Sequence, residues 1–527
     1  VTTDENATDR PLLRKEILFL RDDKGELEAL GDPVIDRRVN LGPLSRVIVP
    51  LVDGRASTAE ILERAAALLP GADRPALERT FRTLHLLNLL EGSGSEILAR
   101  VKRTRESGPG PALIPEGSRF ACQGSGGCCH HYALGPLNED DRTRLAGLDI
   151  AGAFPGAGNG PFVEQLKMKT GEMEWFLKKT GDHCVFLLSD ERCGIHAKFG
   201  EAAKPSICQL YPYRALATID GLKVYDSGEC ASFAVSSFTG PFLQDRLEHL
   251  LGLLPKRPEI HHPVIFLSKE TPCDFGHFLA IQKAATELVR THRGTAPETF
   301  LAASRFVREA CLALASCPLV RGEPDATLAA FLARKVETVE TPPERPSERA
   351  LRLVARVAEE LVASLMSAIV QASGARSPSL EPQFAALAKI VEALALEAAD
   401  ARHGIVEDWK ELAAIPANAP EVHDALRLSL RTGLFGDRVV AQDRIAPGVL
   451  RLGFVQLLAV AGGKLKARLD RSATVRAVDL SFGHKVAARV LRGGFTTKVF
   501  LAHEDDAWEI AEAAAWLLGR LCSPSAS

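Results

Sequence analysis

The residues able to do chemistry in this chain crowd between Cys122 and Cys230. With Cys128, Cys129, Cys184, Cys193 and Cys208 they make seven of the eleven cysteines; Cys273, Cys311, Cys317 and Cys522 are scattered over the rest. Read in order, the cluster runs Cys122-x5-Cys128-Cys129-His130-His131, His183-Cys184, Cys193-x2-His196, Lys204-Pro205-x2-Cys208-x2-Tyr211-Pro212 and Cys230. Thiolates are soft ligands, and four of them suit a tetrahedral zinc ion or an iron–sulfur cluster. Adjacent cysteines rarely bind one ion with both sulfurs, so Cys128-Cys129 points to a cluster or to two neighbouring sites. The competing reading is disulfides or buried thiols, since free cysteine is among the most buried residue types. Seven in so short a stretch, interleaved with His and Gly, favour metal. All seven are candidate ligands.

The flanking residues have simpler readings. His130, His131, His183 and His196 are alternative ligands, because imidazole replaces thiolate on some irons. The commoner role of such a histidine is to hold a ligand from behind. Tyr211 and Pro212 read as loop-shaping residues, as does the Lys204-Pro205 pair. Arg214 is the candidate cation, offsetting cluster charge or holding an anionic group. The four scattered cysteines read as core thiols.

Composition narrows the classes. The chain has 527 residues, 46% hydrophobic and 25% charged, an ordinary globular balance with room for about three or four domains. Its 64 basic and 67 acidic residues nearly cancel, so neither nucleic acid nor an anionic membrane is an expected partner. Val1 to Lys15 has no apolar core of an export signal. No uncharged apolar run reaches the roughly eighteen residues of a membrane helix, and Val449 to Gly462, interrupted by Arg451, reads as a buried helix. The expectation is a cytoplasmic protein, where reduced thiols mean metal more often than disulfide.

Periodicity places the elements. A strand or two is expected over residues 12 to 30. A helix begins at Ser57 or Thr58, and a second runs from Arg74 to about Leu90, stopped by Glu91-Gly92. Arg105 to Arg119, rich in Gly and Pro, reads as a linker. Asn138 is a plausible cap for a short acidic helix. Cys184 to Leu188 reads as a strand whose hairpin brings Cys184 near Cys193, and Asp220-Gly221 marks a second hairpin. From about Ser237 the pattern is helical, with helices expected near 244–254, 275–290, 297–315, 325–336, 348–372, 382–402, 420–434, 449–461, 474–492 and 506–522. The predicted fold is mainly α with small β parts. Its domains are 1–104, a linker 105–119, a cysteine domain 120–236 and a helical bundle 237–527.

Two resemblances add to this reading. Asn40, the segment Leu51-Val52-Asp53-Gly54, the Ser57-Thr58-x-Glu60 helix start and the ending Leu86-Leu87-x-Leu89-Leu90-Glu91-Gly92 resemble winged-helix modules of the pyrroloquinoline-quinone D-protein type. The likeness covers about residues 30–95 and implies a peptide partner added as a strand to an exposed sheet edge. The block from Cys184 through Cys193-Gly-Ile-His196, Phe199-Gly200, Lys204-Pro205, Cys208 and Tyr211-Pro212 resembles a bacterial cysteine-cluster family, zinc- or iron-chelating, that includes flagellin lysine N-methylases. It covers about residues 118–235, with Cys122-Gln123-Gly124, Cys128-Cys129 and Cys230 also fitting. The family's methylases usually carry more residues and an extra cysteine before the double Cys. The resemblance implies an iron–sulfur cluster, of the [4Fe–4S] kind, with zinc as the alternative, and methyl transfer from S-adenosylmethionine to protein lysines.

The residues support the cluster better than the reaction. The only candidate for the Gly-rich turn of a common S-adenosylmethionine fold, Gly156-Ala157-Gly158-Asn159-Gly160, follows a helix-like segment rather than a strand, and no three-cysteine radical motif is present. Any methyl-donor site is therefore unconventional. Two classes stand open: a metal-cluster enzyme that modifies a peptide or protein, and a non-catalytic iron- or zinc-binding or redox protein.

Overall fold

The computed structural model describes residues 10–34, 37–92, 98–99, 101–103, 110–124, 126–130, 134–154, 162–167, 173–181, 183–218, 220–230, 232–254, 259–260, 264–268, 271–315, 323–333, 345–373, 412, 414–436, 444–491 and 494–523. It is mostly helical with small sheets.

Strands β1 (Leu18–Arg21), β2 (Leu27–Asp32) and β3 (Arg37–Asn40) form an antiparallel sheet with β2 in the centre. Helices Pro43–Ile48, Thr58–Leu68 and Arg74–Leu86 come next in the chain. Ser57 caps the second of these helices in a reciprocal box with Glu60, satisfying two backbone donors at once. The third helix stops earlier than its apolar pattern suggests. Asn88 takes a left-handed backbone (φ 56°), and the Leu89 N–H turns back to the Leu84 carbonyl. Leu89 and Leu90 are thereby freed from the helix and buried in the module's own core, with Leu30, Ile48, Ile61 and Leu77. Arg14, buried against Asp32, also donates to the Asn88 carbonyl (2.7 Å) and ties the first strand's approach to this turn.

The stretch expected to be a linker is partly built in. Ala112–Leu113 is strand β4, pairing parallel with the later hairpin, and Arg119 bridges to Phe242. Next come the hairpin β5 (Val163–Lys167) and β6 (Met173–Leu177), then the two-residue strands β7 (Lys179–Thr180) and β8 (His183–Cys184). The strand expected over 184–188 therefore ends at Cys184, and Val185 and Phe186 form a turn. The expected hairpin at Asp220-Gly221 is present as β9 (Tyr213–Thr218) and β10 (Gly221–Asp226). Gly221 is required there, because a Cβ would lie 2.2 Å from the Pro111 carbonyl. The four-stranded sheet runs β11–β9–β10–β4, with β11 at Glu259–Ile260.

The helical body begins earlier than residue 237, at helix Phe233–Thr239. Its core also takes in the hairpin β12 (Val264–Phe266) and β13 (Pro272–Asp274). Helix Ile445–Leu469 runs through its middle. Its length and apolarity would let it cross a membrane, yet 94% of its most apolar window is buried among other helices, as a core helix must be. It meets helix Ala477–Val490 through glycines: a Cβ on Gly483 would lie 2.0 Å from the Ala459 carbonyl. Helices Phe275–Thr291, Ala296–Ala315, Glu323–Ala333, Glu348–Ser373, Pro420–Phe435 and Ala507–Cys522 match the sequence periodicity. Gly494–Ala502 is an additional helix, and the helix expected over 382–402 lies outside the described residues.

Candidate metal centre

Three chain segments make the centre. The first is the turn that carries Cys128 and Cys129. Gly126 opens it at φ +63°, and a Cβ there would sit 2.1 Å from the Glu191 carbonyl, so only glycine lets this turn seat against the next. The second is 183–196. Its backbone is laced to the first by N–H donation from Cys184 to the Cys129 carbonyl (2.8 Å) and from Cys193 to the Gly124 carbonyl (3.0 Å). Cys193 then occupies the N-cap position of the short helix Gly194–Phe199. The third is Lys204-Pro205 and helix Ser206–Leu210, which holds Cys208.

Asp141 anchors that third segment. One carboxylate oxygen accepts from the Ser206 N–H (2.7 Å), the Ser206 hydroxyl (2.8 Å) and the Arg144 guanidinium (3.0 Å). Asp141 belongs to helix Glu139–Ala146, which Asn138 caps as expected. The same Arg144 also donates to the Lys204 carbonyl (3.1 Å), so the loop before Cys208 is fixed from two sides.

Five cysteines line one cavity: Cys128, Cys129, Cys184, Cys193 and Cys208. Leu134, Leu177, Phe186, Ile195, Pro205 and Lys204 complete the wall, around about 280 Å³ of space with its mouth included. Cys129 is the hub, and the neighbouring sulfurs of Cys128, Cys184 and Cys193 push its own thiol up. The S–H of Cys129 in turn holds the Cys128 and Cys193 thiols down, Cys193 with help from the His196 and Ile195 amides. Complete burial, with the charge of Cys128 adding to it, pushes Cys208 up. Among the described residues no three His, Cys, Asp or Glu side chains stand as a ligand set for a single metal ion. The five sulfurs instead share the lining of one cavity.

The other two cysteines stand apart. Cys122 and Cys230 belong to a neighbouring core with Phe120, Tyr213 and Val224. Cys230 accepts from the Ser232 N–H (3.3 Å), and burial raises its thiol to about 12. Between the two groups lies Lys204, 2% exposed, its Nζ donating to Cys122 Sγ at 3.4 Å. No acid among the described residues lies within ion-pair distance of this ammonium. Glu201, nearby in sequence, pairs with Arg246. The sulfurs of Cys122, Cys128, Cys208 and Cys193 are the charges that hold Lys204 protonated against its burial.

Among the described residues, His130, His183 and His196 do not line the cavity. His130 Nε2 bonds Glu191 at 2.6 Å, and the His130 and His183 backbones bridge as a short pair. His196 stands one helical turn from Cys193 with Nδ1 buried and without a hydrogen-bond partner; burial lowers its pKa. His131 lies outside the described residues. Arg214 takes the opposite face of the β9–β10 hairpin from Cys122 and Cys230. Side chains alternate along a strand, and Tyr213 and Ala215 pack with those cysteines, leaving Arg214 beside its cross-strand partner Tyr225. The cation among the thiols is Lys204, which sequence reasoning took for a shape determinant only; Asp141 it did not single out for the site. The Lys-Pro immediately before the Cys208 loop was the available signal for the first, and a third acid in a helix's first turn is no signal for the second. Cys273, Cys311 and Cys522 are buried in the helical body, and Cys317 lies outside the described residues.

By donor type the centre suits a sulfur-ligated group: five soft ligands on one dry-walled cavity, beside a buried cation that needs anionic neighbours. Comparison with protein-family models, with curated proteins and with solved structures returns no match.

Proposed function

We propose that the chain is a metal-cluster protein, of iron–sulfur type, that modifies a peptide or protein. The observation that supports the cluster is the enclosure of Lys204 by cysteine sulfurs, with no carboxylate among the described residues to balance it. An unpaired buried ammonium is expensive, and three of those sulfurs, Cys128, Cys193 and Cys208, become fixed anions once they ligate iron. Cys128, Cys129, Cys184, Cys193 and Cys208 are the ligand pool, of which a [4Fe–4S] cluster takes four; Cys122 and Cys230 serve a second role beside it. When bound, such a cluster supplies one-electron transfer or a Lewis-acidic iron. The protein's own contribution is to fix the three cysteine turns by backbone hydrogen bonds and to exclude water with Leu134, Leu177 and Phe186.

The peptide half of the reading rests on the N-terminal module. Its sheet places β1 and β3 on the outside, each with one edge unpaired among the described residues, and Leu18 and Phe19 on β1 are 55% and 46% exposed. An extended peptide adds to such an edge by backbone hydrogen bonds. Lysine N-methylation from S-adenosylmethionine is the reaction the family resemblance suggests. It requires the substrate amine, with a pKa of about 10.4 in water, to arrive neutral. Arg214, on the hairpin face turned from Cys122 and Cys230, is the candidate cation for that step.

Anaerobic purification and then iron, zinc and acid-labile sulfide analysis tests the cluster. The expected protein is brown, and Cys→Ala at Cys128, Cys129, Cys193 or Cys208 loses the chromophore. A colourless protein with stoichiometric zinc and no sulfide overturns the iron–sulfur reading. Mass spectrometry of partner peptides incubated with S-adenosylmethionine tests the reaction. No methyl increment, together with no calorimetric binding of the donor, moves the assignment to a non-catalytic metal or redox protein.

A further inference from the structure

Lys204 has its main chain held at both polar atoms. Its N–H donates to the Glu201 carbonyl (3.1 Å), and its own carbonyl accepts from Arg144 (3.1 Å) and from the Gln209 amide (2.6 Å). The side chain therefore starts from a fixed point and runs inward, to a wall of the five-cysteine cavity, where it is the one charged residue of the lining. Cys122, which does not line that cavity, accepts from Nζ and steadies the ammonium. The Arg144 guanidinium is committed to Asp141 and to the Lys204 carbonyl. The arrangement thus carries one fixed positive charge at the sulfur site, in an interior where charge is poorly screened.

We propose that Lys204 is a positioning residue for the cluster, whose ammonium is the counter-charge of the sulfur set and raises the reduction potential of the group those sulfurs hold. The proposal rests on the iron–sulfur reading above. Taking up one electron makes the site more negative by one unit. A cation held at the wall lowers the energy of that reduced form more than that of the oxidised form, so the midpoint rises. Hydrogen bonds and charge near cluster sulfurs are established determinants of cluster potential.

The test compares the full-length wild-type chain with Lys204→Gln and Lys204→Arg, all purified anaerobically, by iron and sulfide content and by mediator-controlled redox titration monitored by visible absorbance and electron paramagnetic resonance. Lys204→Gln is expected to load and to titrate lower by at least about 59 mV, a tenfold change in a one-electron equilibrium, while Lys204→Arg stays near the wild-type midpoint. A Lys204→Gln protein that loads fully and titrates with the wild type overturns the proposal while leaving the cluster standing. If Lys204→Gln does not load, recovery of content and midpoint in Lys204→Arg supports the charge role; failure of both variants overturns it in favour of a shape role. A wild-type protein with neither iron nor sulfide overturns the cluster reading itself, and this proposal with it.

Discussion

Asp141→Ala is the substitution that most directly tests how the cysteine loop is held. The carboxylate is 1% exposed and receives four donors, two from Ser206, one from Arg144 and, on its other oxygen, the Asn138 N–H at 3.4 Å. Hydrogen bonds to a charged group are worth roughly 1.5–3 kcal/mol each and do not add. Removing one member of a buried charged pair costs about 3–5 kcal/mol. Arg144 is 32% exposed, so water screens its share and the low end applies, about 3 kcal/mol. Because a chain of this size need not unfold in one step, the loss is best read locally. Hydrogen-exchange mass spectrometry over residues 204–210 reports opening of the helix that carries Cys208. At about 1.36 kcal/mol per tenfold, exchange there should accelerate by roughly two orders of magnitude, with residues 183–196 less affected. Asp141→Asn, which keeps the shape and one acceptor, should fall between, and the exposed neighbour Asp140→Ala should change little. Acceleration below about threefold in Asp141→Ala, or equal to that in Asp140→Ala, would refute the anchoring role.

Three other perturbations have definite expected outcomes. Gly483→Ala should lower the melting temperature of the helical body, through overpacking against Ala459 at about 1–3 kcal/mol; Gly252→Ala, with nothing within 4 Å and in helix Leu243–Leu253 of the Cys230 core, should leave that temperature unchanged. Lys223, buried beside Gln282, has its amine held down at about 8 from 10.5 by desolvation. Between those values the unfolded chain binds the proton and the native chain does not, so the contribution of Lys223 to thermal stability should rise from about pH 8 to pH 10.5; buried thiols such as Cys230 pull the other way, so the rise is read as the difference between wild type and Lys223→Met. Residues 1–100 expressed alone should fold around their own core and bind a candidate peptide with little loss at moderate salt, because strand addition relies on backbone bonds; binding by the whole chain but not by this fragment would place recognition in the helical body.

Much of the local structure was legible because it is decided locally. The Ser57-x-x-Glu60 and Asn138-x-x-Asp141 pairs satisfy helix donors within a single turn, so their sequences suffice to place those starts. Asp220-Gly221 fixes a hairpin in the same way, and apolar residues at three and four spacing set the helices of the second half. The seven cysteines could be picked out as a group from their crowding alone. Their grouping could not. Cys129 meets Cys184 and Cys193, more than fifty residues on, only because Gly126 lets one turn dock on another. That contact is a matter of steric fit between distant segments, which spacing does not encode. The same holds for the division that puts five cysteines on one cavity and leaves Cys122 and Cys230 in the next core. Arg214 and Lys204 make the point most clearly, since a sequence shows both only as cations near cysteines. Strand alternation turns Arg214 away with Tyr225, while a main chain pinned by Glu201, Arg144 and Gln209 drives Lys204 inward among the sulfurs. Charge is written in the sequence; the direction in which a charge points is set by what the tertiary structure packs around it.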